Sequence, residues 1–363
     1  MNRAPWTCFI TVRWYRHLPE AGFKLNKMRM ILHRKRWVYV TGLTICTFIQ
    51  LPITSAIAQN AFTFGSRVYA DYSYVVKSAS GEEDGTNAFG YRRVYFTANY
   101  VKSDRFSGRF RLEANDGSTT AQGKPAPFVK DLYLKWKGAL GSGHDLVMGV
   151  SRPPSWGVSE SVWGYRSLIK ALQDRGKILS SRDLGVAIKG PVTSNGIVRY
   201  GVMIANNESV SRETDKHKRL YGQLEFYPSD GLSFTVGGDF ASYEDGSAIN
   251  VNAFAGYSSF EFRVGVEGYY SPRSFDEISD DLLKTGISIF VVAQPSRRSS
   301  AIIRIDRLAQ DFLGIRTTKT MILAGIGFKI EPGVEIIPNA IVSKESEQDD
   351  PTVTGRVTLY VKI

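Results

Sequence analysis

From Phe62 to Ile363 the chain is a succession of short segments in which apolar and polar side chains alternate, separated by Gly, Ser, Asp, Asn and Pro. A period of two places apolar residues on one face of an extended strand and polar residues on the other. Phe106, Gly108, Phe110, Leu112 and Ala114 oppose Arg109, Arg111, Glu113 and Asn115. Val68, Ala70, Tyr72, Tyr74 and Val76 oppose Arg67, Asp71 and Ser73. Phe260, Phe262, Val264 and Val266 oppose Glu261, Arg263 and Glu267, and Leu224 and Phe226 oppose Arg219, Gln223 and Glu225. A soluble sandwich would alternate too, but two details favour a membrane. Many segments reach nine residues or more, the length with which a tilted strand crosses a bilayer, whereas soluble strands average five or six. The polar faces also carry Arg, Lys, Asp and Glu at mid-strand, as a water-filled lumen permits.

Sixteen such segments are expected, at 62–77, 89–101, 105–116, 127–138, 144–150, 183–190, 196–206, 217–228, 232–243, 248–257, 259–270, 283–293, 300–308, 319–330, 333–343 and 352–363. The fold class read from them is all-β: a transmembrane antiparallel β-barrel of about 16 strands, closed so that no edge meets lipid. Short connections at Lys102-Ser103-Asp104, Ser194-Asn195-Gly196 and Pro228 to Gly231 read as inner turns. Longer polar stretches at 78–88, 116–126, 207–216, 271–281 and 344–351 read as outer loops.

The chain's net charge of +11 is concentrated at its start. Basic residues ending in Arg34, Lys35 and Arg36 precede an uncharged stretch, Val38 to Ala58, that closes on Ala56-Ile57-Ala58. Basic head, apolar middle and small-residue ending make residues 1–58 a secretory signal peptide, with Met28 or Met30 as alternative starts. A retained anchor is the competing reading. Setting aside the nine basic residues and one acidic residue of this leader leaves 37 Lys and Arg against 34 Asp and Glu in residues 59–363, a single barrel domain. A net +3 is no argument for nucleic acid. Cys8 and Cys46 both fall in the leader, so the remainder has neither disulfides nor thiol chemistry.

Residues 151–182 break the alternation. Tyr165 to Arg175 carries Leu168, Ile169, Ala171 and Leu172, with Arg166, Lys170, Asp174 and Arg175 around them, and predicts a short amphipathic helix stopped by Gly176. A long irregular stretch rich in Trp, Tyr and Leu either folds into a barrel as a constriction or caps its surface.

FVKDLYLKWK at 128–137, DLVMGVSRPPSWG at 145–157 and RSLIKALQDRGKILSSRDLGVAIKG at 166–190 resemble the outer-membrane porins related to the phosphate-selective porins O and P. FTFGSRVYADYSY at 62–74 and RRVYFTANY at 92–100 fit more loosely, and beyond residue 206 only the pattern agrees. The resemblance implies a sixteen-stranded barrel, often a homotrimer, in the outer membrane of a Gram-negative-type bacterium, with the third loop folded inward. The partners it implies are outer-membrane lipid and lipopolysaccharide, the barrel assembly machinery, and small solutes or anions.

The residues expected at the pore wall are Arg67, Arg93, Arg109, Arg111, Glu113, Arg219 and Arg263, with Arg166, Lys170, Arg175 and Lys177 on the loop. The arginines either bias solute passage or pair with lumen carboxylates and hold the barrel's shape. Glu113, Glu225, Glu261 and Glu267 interrupt any all-arginine ladder. The two histidines beyond the leader, His144 and His217, sit in separate segments with no Cys and no spaced carboxylates. No metal, cofactor or catalytic set is therefore expected. Two function classes follow: passive diffusion of small hydrophilic solutes or ions with a weak anion preference, or a non-conducting barrel acting as scaffold, adhesin or receptor through its loops.

Overall fold

The computed structural model describes residues 61–207, 209–212, 214–278 and 280–363. The expected signal peptide lies outside these residues. The first wall comprises β1 (Ala61–Lys77), β2 (Asn87–Val101), β3 (Phe106–Ala114), β4 (Phe128–Trp136) and β5 (Asp145–Ser151). It continues through β6 (Asp183–Pro191), β7 (Val198–Ala205), β8 (Arg219–Phe226), β9 (Leu232–Tyr243), β10 (Gly246–Ser258) and β11 (Phe262–Phe275). The circuit ends with β12 (Leu282–Ser296), β13 (Ser299–Phe312), β14 (Ile315–Glu331), β15 (Val334–Glu345) and β16 (Thr352–Lys362). Each strand pairs antiparallel with the next in sequence, and β16 pairs with β1, so the sixteen strands close into a barrel.

Alternation decides which way each side chain points. On β13, Ile303 and Ile305 are exposed outside while Arg304 and Asp306 are fully buried inside. The outward face shows Phe64, Phe96, Leu132, Val186, Val202, Leu220, Val236, Val266 and Ile322 in turn around the wall, all exposed. An apolar surface that encircles a molecule suits lipid rather than water. Among the described residues no helix is long and apolar enough to cross a membrane.

Two expectations of extent fail in the same direction. β11 runs on to Phe275 through residues expected to be loop, and β13 and β14 meet at Leu313 and Gly314 after four more residues each. These extensions are polar on both faces, as in Gln310, Asp311, Arg316 and Thr317, so they carry no apolar period to read. Cross-strand hydrogen bonding sustains them, helped by the Phe275 and Phe312 rings, whose centroids lie 5.8 Å apart.

Candidate functional site

The connection from β5 to β6, residues 152–182, turns into the barrel. Pro153 and Pro154 disfavour a helix at its start. α1 (Gly157–Trp163) then forms and stops where Gly164 adopts φ 69°. The left-handed backbone there favours glycine, and a Cβ would also displace the guanidinium tip of Arg263. α2 (Leu172–Arg175) is a single turn. The helix expected over Tyr165–Arg175 is thus replaced by two short ones flanking an irregular stretch. Its physical reason lies in the wall: the Ser167 and Leu168 carbonyls accept hydrogen bonds from Arg92 of β2, and Leu168 also from Arg356 of β16 at 3.1 Å.

Apolar packing fastens the loop to one side. Trp163, Tyr165 and Leu168 are buried against Phe254, Phe290, Val292, Ile302, Leu323 and Ile337, which point inward from β10 and β12–β15. The Trp163 ring lies 5.1 Å from Phe290 and 5.0 Å from the Arg304 guanidinium, and its indole N–H donates to the Ile169 carbonyl at 3.1 Å. A second cluster joins Trp156, Ala171 and Leu179 to Val147, Ala187, Met203 and Tyr221 on β5–β8. Polar ties complete the hold. Tyr165 Oη donates to Glu335 Oε1 at 2.9 Å, the Leu172 amide to Glu267 Oε1 at 3.2 Å, and Arg175 pairs with Asp306.

The opposite wall, β2–β4, is charged. Two bulges make it so: pairing slips between Tyr69 and Ala70 on β1 and between Arg111 and Leu112 on β3. Each inserts an extra residue opposite and turns two consecutive charged side chains inward, Arg92 with Arg93 and Lys130 with Asp131. Arg93 and Lys130 both bind Glu113, at 3.0 and 3.1 Å. Arg111 and Arg182 both bind Asp131, Arg111 at 3.1 Å, and the Arg111 guanidinium lies 5.2 Å from the Tyr95 ring centroid. Among the described residues Arg109 makes one hydrogen bond, to the Asn99 side-chain carbonyl at 2.8 Å. Arg67 is exposed on the inner face of β1, with no carboxylate partner among the described residues.

The loop presents charges of its own. Arg166 bridges Glu160 and Asp174, Arg152 binds Glu160 at 2.7 Å, and the half-exposed Lys170 approaches Asp174 at 3.5 Å. Burial by itself would raise the Glu160 carboxyl, but Arg166 and Arg152 beside it hold it below the usual carboxylate range. Asp174 behaves alike, held down by Arg166 and Lys170.

Of the residues singled out in the sequence, Arg93, Arg109, Arg111 and Glu113 lie on the inner face of the β2–β4 wall, and Arg166 and Lys170 lie on the loop folded inside the barrel. Arg219, Arg263 and Arg175 lie elsewhere, in structural contacts. Arg219 binds Asp239 at 2.8 Å and the Ile178 carbonyl, and Arg263 stacks 5.2 Å from the Tyr165 ring centroid beneath the loop. Lys177, at φ 52°, borders a separate cavity of about 280 Å³ with Tyr269 and Lys284. Sequence reasoning passed over Arg92, Lys130, Asp131, Arg152, Glu160 and Arg182. The doubled charges at 92–93 and 130–131 were the available signal, since two charged residues in succession cannot both keep to one face without a bulge. His144 Nδ1 lies 3.0 Å from Tyr200 Oη, and His217 Nδ1 lies 3.3 Å from Ser242 Oγ. No group of three or more metal-ligating side chains occurs among the described residues.

No protein-family model and no curated protein sequence matches this chain. Solved structures do match its fold. The trimer form of OmpT, an outer membrane protein of Vibrio cholerae, superposes with a TM-score of 0.61 at 12% identity over 84% of this chain and 99% of that one. An anion-selective porin from Comamonas acidovorans gives 0.62 at 13% identity, over 84% and 100%. The outer membrane channel DcaP of Acinetobacter baumannii gives 0.59 at 11% identity, over 85% and 98%.

Proposed function

We propose that this chain is an outer-membrane porin, delivered by its signal peptide, through which small hydrophilic solutes diffuse with a preference for anions. A homotrimer is the assembly proposed, as in the trimeric structure that shares the fold. The passage runs between the inward-folded loop and the β2–β4 wall, and residues 151–182 form its constriction.

The observation that carries this reading is an imbalance of charge. Among the described residues, Arg93, Arg109, Arg111, Lys130 and Arg182 share two wall carboxylates, Glu113 and Asp131. The loop adds Arg152, Arg166 and Lys170 against Glu160 and Asp174. Paired arginines keep their geometry and the surplus ones supply the field, so the two roles weighed for these residues divide between them. A positive potential in a low-dielectric channel raises the local anion concentration. Carboxylates at every level speak for a general preference rather than a phosphate-specific ladder.

Single-channel recording from the refolded barrel under a salt gradient tests the proposal. Discrete conductance steps with a reversal potential on the anion side are expected. Verified insertion without steps would overturn it. The loop's ties to β2, β16 and the apolar wall would then describe a plugged barrel serving as a mount for its outer loops.

A further inference from the structure

Followed around the wall by its pairing register, the outward face is apolar, aromatic or small and uncharged on nearly every strand. Lys77, the last residue of β1, is ion-paired with Asp350. The remaining outward charges cluster at the loop-bearing end of β13–β15. There Arg307, Thr320 and Lys344 stand side by side on three neighbouring strands, in register with one another, and both cations are exposed. Strands about 4.8 Å apart set the Arg307 and Lys344 Cα atoms roughly 10 Å apart, with the Thr320 hydroxyl between them.

Arg307 has no hydrogen-bond or ion-pair partner among the described residues. Lys344 donates once, to the Asp349 carbonyl at 2.9 Å, and keeps two further donors. Asp311 is the outward carboxylate of this region, and its cross-strand neighbour is Arg316 rather than Arg307. Below the row come Ile305, Ile322 and Val342. Beneath those, the outer wall holds an apolar furrow of about 550 Å³, floored by the small side chains of Ala301, Ala324 and Ala340 with Val291, Ile303 and Ile326 at its sides.

Cations on a lipid-facing strand are costly at mid-bilayer and tolerated near the interface, where phosphate oxygens offer charge-assisted hydrogen bonds. We propose that Arg307, Thr320 and Lys344 clamp the phosphate of one lipid headgroup, and that the furrow seats an acyl chain of the same molecule. The inference rests on the reading of the barrel as membrane-spanning.

Native mass spectrometry of the refolded barrel in neutral micelles tests it, with three probes: a diacylglycerol phosphate, the same diacylglycerol without phosphate, and inorganic phosphate alone. Retention of the phosphorylated lipid only is expected. At about fivefold per cation, the double variant R307Q/K344Q should lower retention about 25-fold. Ala324→Phe, which fills the furrow and leaves both cations in place, should lower it too. Equal retention of the unphosphorylated lipid, inorganic phosphate held as firmly as the lipid, or a double variant that binds normally would each overturn the proposal. So would a complex between copies of the barrel that R307Q/K344Q disperses, because a neighbour's carboxylates would then occupy the clamp. Heat-modifiable migration and bilayer insertion of the same preparations report on the barrel itself. If these persist while lipid retention fails, only the clamp is lost.

Discussion

On β2–β4 the inward side chains beside the loop include Arg92, Arg93, Tyr95, Thr97, Arg109, Arg111, Glu113, Lys130, Asp131 and Tyr133. On β12–β15 the corresponding inward positions hold Phe290, Val292, Ile302, Met321, Leu323 and Ile337, all buried. The two walls share a backbone pattern and differ in what touches them. Trp163, Tyr165 and Leu168 exclude water from the second wall, whereas on the first only Tyr133 at its β4 margin packs against an apolar part of the loop, the Trp156 cluster, among the described residues. Strand length follows the same division: β3–β8 have 7 to 9 residues, whereas β9–β16 have 11 to 17 and are joined at the loop-bearing end by short connections. Chain withheld from the short strands goes into the long loops beside them. The largest of these crosses the lumen to cover the tall side. The side of the barrel on which the loop lies is therefore a consequence of which inner face needs cover.

Removing that cover should have the largest effect. Trp163→Ala empties a fully buried site and is expected to cost about 3 to 5 kcal/mol of loop attachment. Single-channel conductance should rise as the loop leaves the β12–β15 wall. Unchanged conductance would mean that the loop does not limit flow.

Asp131→Asn strikes the charged wall instead. Arg111 and Arg182 lose their shared carboxylate while largely buried, and breaking such a pair costs about 3 kcal/mol. The reversal potential should also move further to the anion side. A variant as stable as the parent would show that water already solvates both guanidiniums.

Acid should act more gently, through the loop. The Glu160 and Asp174 carboxyls lie below their ordinary values, so their contribution is complete above the unfolded carboxylate pKa of about 4 and is lost as pH falls through the lowered folded values. Conductance recorded down a pH series should stay level through mild acid and change only below pH ~4. A midpoint between pH 5 and 7 would assign the response to other groups.

Arg109→Gln is expected to be the mildest change for the fold, within about 0.5 kcal/mol, because its partner is one amide oxygen. Yet it should shift the reversal potential toward cations. If selectivity holds in R109Q and in R67Q alike, the surplus charge does not govern passage.

The barrel was legible because period-two alternation is imposed by lipid on one side and water on the other, as in β3 with Phe110 and Leu112 outside and Arg109 and Arg111 inside. The signal fades wherever one of those solvents is missing. On β12–β15 the loop replaces the lumen water, and ISIFVVA at 287–293 and AIIRI at 301–305 read as near-continuous apolar runs. At Ala309–Phe312 and Ile315–Thr318 water replaces the lipid, and strands pass for loop. The site itself was half visible. Strand parity assigned Arg93, Arg109, Arg111 and Glu113 to the inner face, but the partners that neutralise some of them arrive by bulge, as Lys130 and Asp131 do, or from a distant loop, as Arg182 does.

The seam between β1 and β16 has a consequence for how the molecule comes into being. Val68 pairs with Val361, and Ser66 and Ile363 exchange two backbone hydrogen bonds of 3.0 Å, across almost the whole described length of the chain. Every other strand finds its partner next door in sequence. β1 finds its second partner only in the last strand, and until the two meet its edge offers unpaired amides and carbonyls. Contacts this remote in sequence form slowly. Closing that seam is what removes the sheet's last free edges, so the barrel owes its lack of edges to the contact most remote in sequence.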